Sequence, residues 1–127
     1  MEASGVTRDT NMNTIFADNG RMVNKLSIMA TTLRGVNPTM SMQVFHTLLL
    51  VAQNPGSSVT DLSKASGFPL ATMSRNLLDL GPRNRKREPG LGLVQATIDD
   101  MELRKKQVNL SPKGELLIKQ LIDILKV

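Results

Sequence analysis

One mainly α-helical domain with a small β-hairpin is the fold class this sequence predicts, and three stretches predict it. Residues 60–80, TDLSKASGFPLATMSRNLLDL, read as two short helices joined at Gly67. Residues 93–110 read as two strands around an acidic turn. Stripes of Met, Leu and Ile at helical spacing lie near both ends of the chain. The 127 residues suffice for one domain with a real core but not for two, and the 40% hydrophobic share is that of a globular protein. The predicted organisation is a flexible N-terminal arm over 1–17 and one domain over 18–127.

The arm is predicted because residues 1–13, MEASGVTRDTNMN, are polar and without period. A helix follows over about 18–34, ended by Gly35. In it Met22, Leu26, Met29 and Leu33 recur at spacings of four, three and four, a narrow seam like that of a coiled coil. Two uses fit this seam: it covers the domain's own core, or it meets the same helix of a second subunit. Asn37-Pro38 breaks the chain, and Thr39 or Ser41 caps a second helix to about residue 53. Met42, Phe45, Leu48, Leu49 and Ala52 are its expected buried face. His46 lies on its more polar side and reads as a surface or packed histidine, since no second catalytic group accompanies it. Asn54-Pro55-Gly56 signals a turn, with a short strand over 57–59 beyond it.

In the 60–80 stretch, Thr60 suits an N-cap, because its hydroxyl can accept from a free amide of the first turn. Leu62 and Ala65 form an apolar edge, and Gly67 can take the left-handed conformation that ends a helix. Pro69 suits a first turn whose amides are unpaired anyway. Met73, Leu77 and Leu80 fall on one face, which leaves Ala71, Thr72, Arg75, Asn76 and Asp79 towards solvent. This is the pattern of a helix-turn-helix, whose second helix enters a DNA major groove, and also of an ordinary helical hairpin in a core. The loop that follows, GPRNRKREPGLG at 81–92, holds Arg83, Arg85, Lys86 and Arg87. Placed directly after a candidate recognition helix, this run is either a phosphate contact or a solvated surface.

Val94, Ala96 and Ile98 share one face of the first strand; Val108 and Leu110 point inward from the second, Lys105 and Gln107 outward. A hairpin just after a helix-turn-helix is the wing of a winged-helix domain. Arg104, Lys105 and Lys106 put charge near its tip, suited to phosphate or a minor groove. Ser111 and Pro112 fit N-cap and N1 of a last helix. There Leu117, Leu121 and Ile124 line one row, and Ile118, Ile122 and Leu125 the next. So wide an apolar face on a small domain predicts a dimer.

Composition narrows the chemistry. A net charge of +5 favours a polyanionic partner. The absence of cysteine removes disulfides, thiolate metal sites and thiol redox sensing, and a single histidine removes the usual metal sets. The sequence predicts no catalytic residue, no metal site and no cofactor, hence no enzyme. With Phe16, Phe45 and Phe68 the only aromatics, base-stacking on single strands is disfavoured. No apolar run approaches the ~18 residues of a membrane span and no signal peptide is visible, so a cytoplasmic protein without membrane contact is expected.

Residues 102–114, ELRKKQVNLSPKG, resemble the wing signature of the MarR family of winged-helix regulators: acid, any residue, Arg, a strand ending hydrophobic-x-Leu, then Ser/Thr, two residues and Gly. Residues 59–80 resemble the family's helix-turn-helix and 42–56 its preceding core helix, so the resemblance spans about 20–127. It implies a MarR-like winged helix with terminal helices forming a homodimer, through Met22, Leu26, Met29 and Leu33 and through Leu117, Leu121 and Ile124. It implies Thr72, Ser74, Arg75 and Asn76 on the recognition helix and Arg104 in the minor groove. A small-molecule effector, as in many members of the family, is also implied. This chain departs in having Glu102 where aspartate is usual, a longer basic connection over 82–90, and an early end to the last helix.

The expected function is a homodimeric, double-stranded-DNA-binding transcription regulator, most simply a repressor. Helix 69–80 would read the major groove and the wing 93–110 the minor groove, with Arg83, Arg85, Lys86, Arg87, Lys105 and Lys106 on phosphates. The alternative is a winged helix used for protein interaction or sequence-indifferent DNA binding, as in a replication or phage-type accessory factor.

Overall fold

Helix α1 runs from Gly5 to Val36, α2 from Met42 to Gln53, α3 from Val59 to Ser66 and α4 from Leu70 to Leu80. Strands β1 (Val94–Ile98) and β2 (Lys106–Leu110) follow, then α5 (Pro112–Lys126). This computed structural model describes residues 5–83, 86–98 and 106–127, with side chains from Asn19 onward, Ile98 apart. Expectations for Arg85, Glu102, Arg104, Lys105 and the turn at 99–102 therefore lie outside the described residues.

Of the expected arm over 1–17, residues 5–17 form the first part of α1, which kinks at Asn19 (φ −115°, ψ 16°). The sequence there is polar but can coil, because no proline or glycine interrupts 6–19.

Helix α2 is capped by Ser41, whose side chain accepts from the Val44 amide. Its buried face is Val44, Thr47, Leu48, Leu50 and Val51, whereas Met42 is 77% exposed. The expected inward set, with Met42, Phe45, Leu49 and Ala52, is thus rotated from the true one: Phe45, Leu49 and Ala52 are only half-buried. Thr47 belongs to the buried face because Val44, Thr47, Leu48 and Val51 hold the i, i+3, i+4, i+7 spacing of one helix side. Thr47 is tolerated inside because its hydroxyl donates to the Gln43 carbonyl at 2.8 Å, one turn back.

The N-cap of α3 is Ser58, not Thr60; its side chain accepts from the Asp61 amide. Thr60 already lies inside the helix. Gly67 ends α3 in the left-handed conformation (φ 79°, ψ 0°), which a side chain would strain. The turn is then tied down by Ser63, whose hydroxyl donates to the Phe68 carbonyl at 2.6 Å, and by the Phe68 amide donating to Ser66 Oγ at 3.0 Å.

β1 and β2 pair antiparallel, from Val94 opposite Leu110 to Ile98 opposite Lys106. The strand expected over 57–59 shrinks to one bridge, Ser57 to Val108, because Val59 already opens α3. Val94 and Val108 enter the core, while Ala96 is exposed. Leu62, Met73, Leu80 and Leu93, buried with Leu48 and Val51, are the centre onto which the helices and hairpin close. α5 begins as expected, with Ser111 as N-cap and Pro112 in its first turn. Ser111 also donates to the Gly92 carbonyl at 2.6 Å, and its amide to the Leu93 carbonyl, so the start of α5 is bolted to the chain that leads into β1. α1 packs along α5, with Lys25 Nζ donating to the Leu125 carbonyl at 3.2 Å.

Candidate nucleic-acid interface

The α3–turn–α4 unit presents α4 by burying one side of it. Met73, Leu77 and Leu80 are in the core, and α4 packs on both α2 and α3. The opposite side carries Leu70, Ala71, Arg75 and Leu78 exposed, with Thr72 and Ser74 half-exposed. Pro69 gives no side-chain cap, so the first amides of α4 are left for another acceptor. Arg75 therefore stands on an open helix face between small polar side chains.

Asn76 does not belong to that face, which corrects the expectation of a solvent-facing, DNA-contacting residue. It is 5% exposed and its Nδ2 donates to Thr47 Oγ1 at 3.2 Å, tying α4 to α2 through the Thr47–Gln43 bond behind it. A buried amide is retained only when hydrogen-bonded, and this bond also sets the rotation of α4 about its axis. Asn76→Ala is expected to lose about 1–3 kcal/mol of stability, as a buried bond and its packing are removed. Thermal unfolding would show it, whereas Arg75→Ala should leave the melting temperature within a degree or two. The signal for this pair was two polar residues each sitting at a core position of its own helix.

The basic connection is a closed hairpin. The Leu93 amide donates to the Leu80 carbonyl, Gly92 to Gly81, Leu91 to Asp79 and Gly90 to Pro82, while Arg83 and Pro89 form a bridge. Gly90 is required at the neck, since a Cβ there would overlap the Gly81 carbonyl oxygen. Arg83, Lys86 and Arg87 are exposed beyond that neck, and Arg87 takes φ 61° at the bend. The charges thus project from a fixed stem just past the C-terminal end of α4.

Of the wing cations, Lys106 is described: it opens β2 and is exposed. Between α4 and the β1–β2 hairpin lies a cleft of about 400 Å³, lined by Ser74, Leu78, Arg83, Ala96 and Lys106 among others. A second, more polar cavity of about 330 Å³ lies between the α1–α2 connection and the neck of the basic hairpin, with Asn37, Ser41 and Asp79 in its wall. Among the described residues no cluster of His, Asp or Glu could hold a metal ion, and no helix is long and apolar enough to cross a membrane.

The residues expected at a dimer interface divide. Met22 and Leu26 are 62% and 61% exposed. Met29, Leu33 and Ile124 are half-buried against the protomer's own core. Leu117 and Leu121 are each only 4% exposed, which corrects their assignment: a side chain already enclosed in one protomer offers no surface to another. The exposed apolar side chains of α5 are instead Leu116, Ile122 and Leu125, and those of α1 include Val23 and Ile28.

No family model matches the chain, and no curated protein matches it in sequence. Solved structures do match its fold. The S. aureus MepR–DNA complex aligns with a TM-score of 0.66 and 20% identity, over 90% of this chain and 83% of that one. Streptococcus pneumoniae FabT in complex with DNA aligns with a TM-score of 0.60 and 21% identity, over 94% and 76%. Bordetella bronchiseptica BpsR, a protein whose DNA binding is regulated by 6-hydroxynicotinic acid, aligns with a TM-score of 0.54 and 20% identity, over 83% and 71%. The fold is the MarR-like winged helix.

Proposed function

We propose that this protein is a homodimeric transcription regulator that binds double-stranded DNA, reads the major groove with α4 and, most simply, represses by occupying a promoter. The observation that carries the reading is the two-sided build of α4. One side is locked by Met73, Leu77 and the Asn76–Thr47 bond; the other offers Thr72, Ser74 and Arg75 on an exposed face. Support comes from the fold, shared with FabT and MepR, both solved with DNA. The wing residues Arg104 and Lys105 would reach the adjacent minor groove or its phosphates. A dimer places two such helices one helical turn apart, which calls for a palindromic site. The polar cavity near Asn37 and Asp79 is of a size for a small-molecule effector.

Selection of bound duplexes from a random pool tests the reading. A palindromic consensus is the expected result; equal affinity for all duplexes would favour the sequence-indifferent accessory factor instead. Within an enriched site, Arg75 is assigned the bidentate contact to a guanine, worth roughly 1–3 kcal/mol of discrimination. Arg75→Ala should relax preference at one position of each half-site. A uniform loss over all sequences would move Arg75 to a phosphate.

A further inference from the structure

We infer that Leu70 reads the 5-methyl group of a thymine, about two base pairs from the guanine assigned to Arg75. The inference rests on the proposed DNA-binding reading and adds to it an apolar specificity residue. Leu70 opens α4 and is 52% exposed. It has no place in the core, and it lines neither the cleft beside the β1–β2 hairpin nor the polar cavity at the neck of the basic hairpin. Leu78, the other large apolar side chain exposed on α4, does line the cleft. The first turn that carries Leu70 is held in place rather than frayed. The Ser63 hydroxyl donates to the Phe68 carbonyl, the Phe68 amide to Ser66 Oγ, and the Met73 amide to the Pro69 carbonyl at 2.9 Å. Pro69, at the N-cap, has its own φ fixed by its ring. A leucine kept in water this way gains only when another apolar group covers it.

Its neighbours on α4 decide which group that is. Side chains at i and i+4 share a helix side, so Leu70 lies one turn before Ser74, and Ala71 one turn before Arg75, on the exposed face. Whatever covers Leu70 therefore meets hydroxyls and a guanidinium as well. An apolar protein surface would bury Arg75 without a partner, and the one carboxylate of α4, Asp79, lines the polar cavity instead. A major groove meets all of these side chains at once. Its base edges present hydrogen-bonding groups together with one apolar group, the C5-methyl of thymine. The first residues of a recognition helix are those that reach base edges. Leu70 precedes Arg75 by about 7.5 Å along the helix, and base pairs follow one another at about 3.4 Å, which sets the spacing of two.

The test takes the duplex selected from a random pool and replaces its thymines one at a time with deoxyuridine, which removes a methyl and leaves every hydrogen-bonding group in place. The wild type should lose about fourfold at one thymine of each half-site, and roughly tenfold when both are replaced, as expected for one methyl-sized contact each. Leu70→Ala should bind the thymine duplex as weakly as the wild type binds the uracil duplex, and should not distinguish the two. Leu70 is outside the core, so this variant should melt with the wild type, and a weaker affinity is then no folding defect. A wild type indifferent to the methyl at every thymine would overturn the inference, as would a Leu70→Ala protein that still prefers thymine to uracil at that position. A selected site without thymine within about three base pairs of the Arg75 guanine would also overturn it. So would a shift of Leu70→Ala from dimer to monomer in light scattering, which would place Leu70 in a protein contact. If no sequence is enriched from the pool, the DNA-binding reading itself falls, before any deoxyuridine duplex is made.

Discussion

The double substitution Leu26→Glu/Leu125→Glu is expected to yield folded monomers whose affinity for a two-half-site duplex falls by about 10²–10⁴-fold. Among the described residues, most of the large exposed apolar side chains lie on two helices that pack on each other, Met22, Val23, Leu26 and Ile28 on α1 and Leu116, Ile122 and Leu125 on α5; the others are Met42, Leu70, Leu78 and Val127. Patches of this kind on a small soluble domain mark an interface, because each such side chain gains roughly 1.5–3 kcal/mol when it leaves water. Leu26 and Leu125 are 61% and 53% exposed within the protomer, so a charge at either position meets solvent in the monomer and opens no core. At an apolar interface the same charge would be buried without a partner. On the proposed function DNA affinity should follow the dimer, since tethering two readers makes the second contact intramolecular. Light scattering and a duplex titration check both halves. A wild type that is monomeric at micromolar concentration, or a variant that stays dimeric, would sink the interface. Leu121→Glu is a different experiment: Leu121 is enclosed in the protomer, so that substitution should unfold the domain.

How far residue patterns carried the structure can be traced through individual side chains. Helix α4 was legible because Met73, Leu77 and Leu80 keep a helical period and Gly67 and Pro69 frame it; all three apolar residues are buried. The start of α5 was legible because Ser111 and Pro112 are local capping chemistry. What local pattern does not contain is a partner distant in sequence. Asn76 looked like a solvent residue because its acceptor, Thr47, is 29 positions away on another helix. In α5 the rows headed by Leu117 and by Ile118 are equally apolar, and only the placement of α1, β2 and the rest of the core decides which turns inward. The basic connection, rich in Pro, Gly and Arg, read as a loop. Its closure rests on backbone bonds from 90–93 to 79–82, which side-chain chemistry does not announce. Arg75 and the basic connection were named from sequence as candidates, whereas the cleft between α4 and the β1–β2 hairpin is lined by four separate segments and has no local signature.

Gly114→Ala is expected to be among the most destabilising single substitutions in the protein, of order 3 kcal/mol or more, although alanine is the better helix former. Gly114 is the third residue of α5, buried, with its amide donating to Ser111 Oγ at 3.1 Å. A Cβ there would overlap the Leu93 carbonyl oxygen and approach the Leu93 Cα at 3.3 Å. These are backbone atoms, so no rotamer change relieves the clash. Leu93 is itself fully buried and accepts the Ser111 amide at 2.9 Å, while Ser111 Oγ holds Gly92. Making room therefore pulls α5 off the strand and breaks the bonds that join the wing to the last helix, a case where overpacking exceeds its usual cost of about 1–3 kcal/mol. Intrinsic propensity works the other way and by less, about 1 kcal/mol in favour of alanine. Gly35→Ala separates the two terms. Gly35 also lies in a helix, but a Cβ there meets nothing within 4 Å, so alanine should leave stability unchanged or raise it by a few tenths of a kcal/mol. Opposite signs for the two variants in urea unfolding would establish that close approach, not helix preference, requires glycine at 114. A Gly114→Ala protein as stable as the wild type would show that α5 does not lie against Leu93 as described.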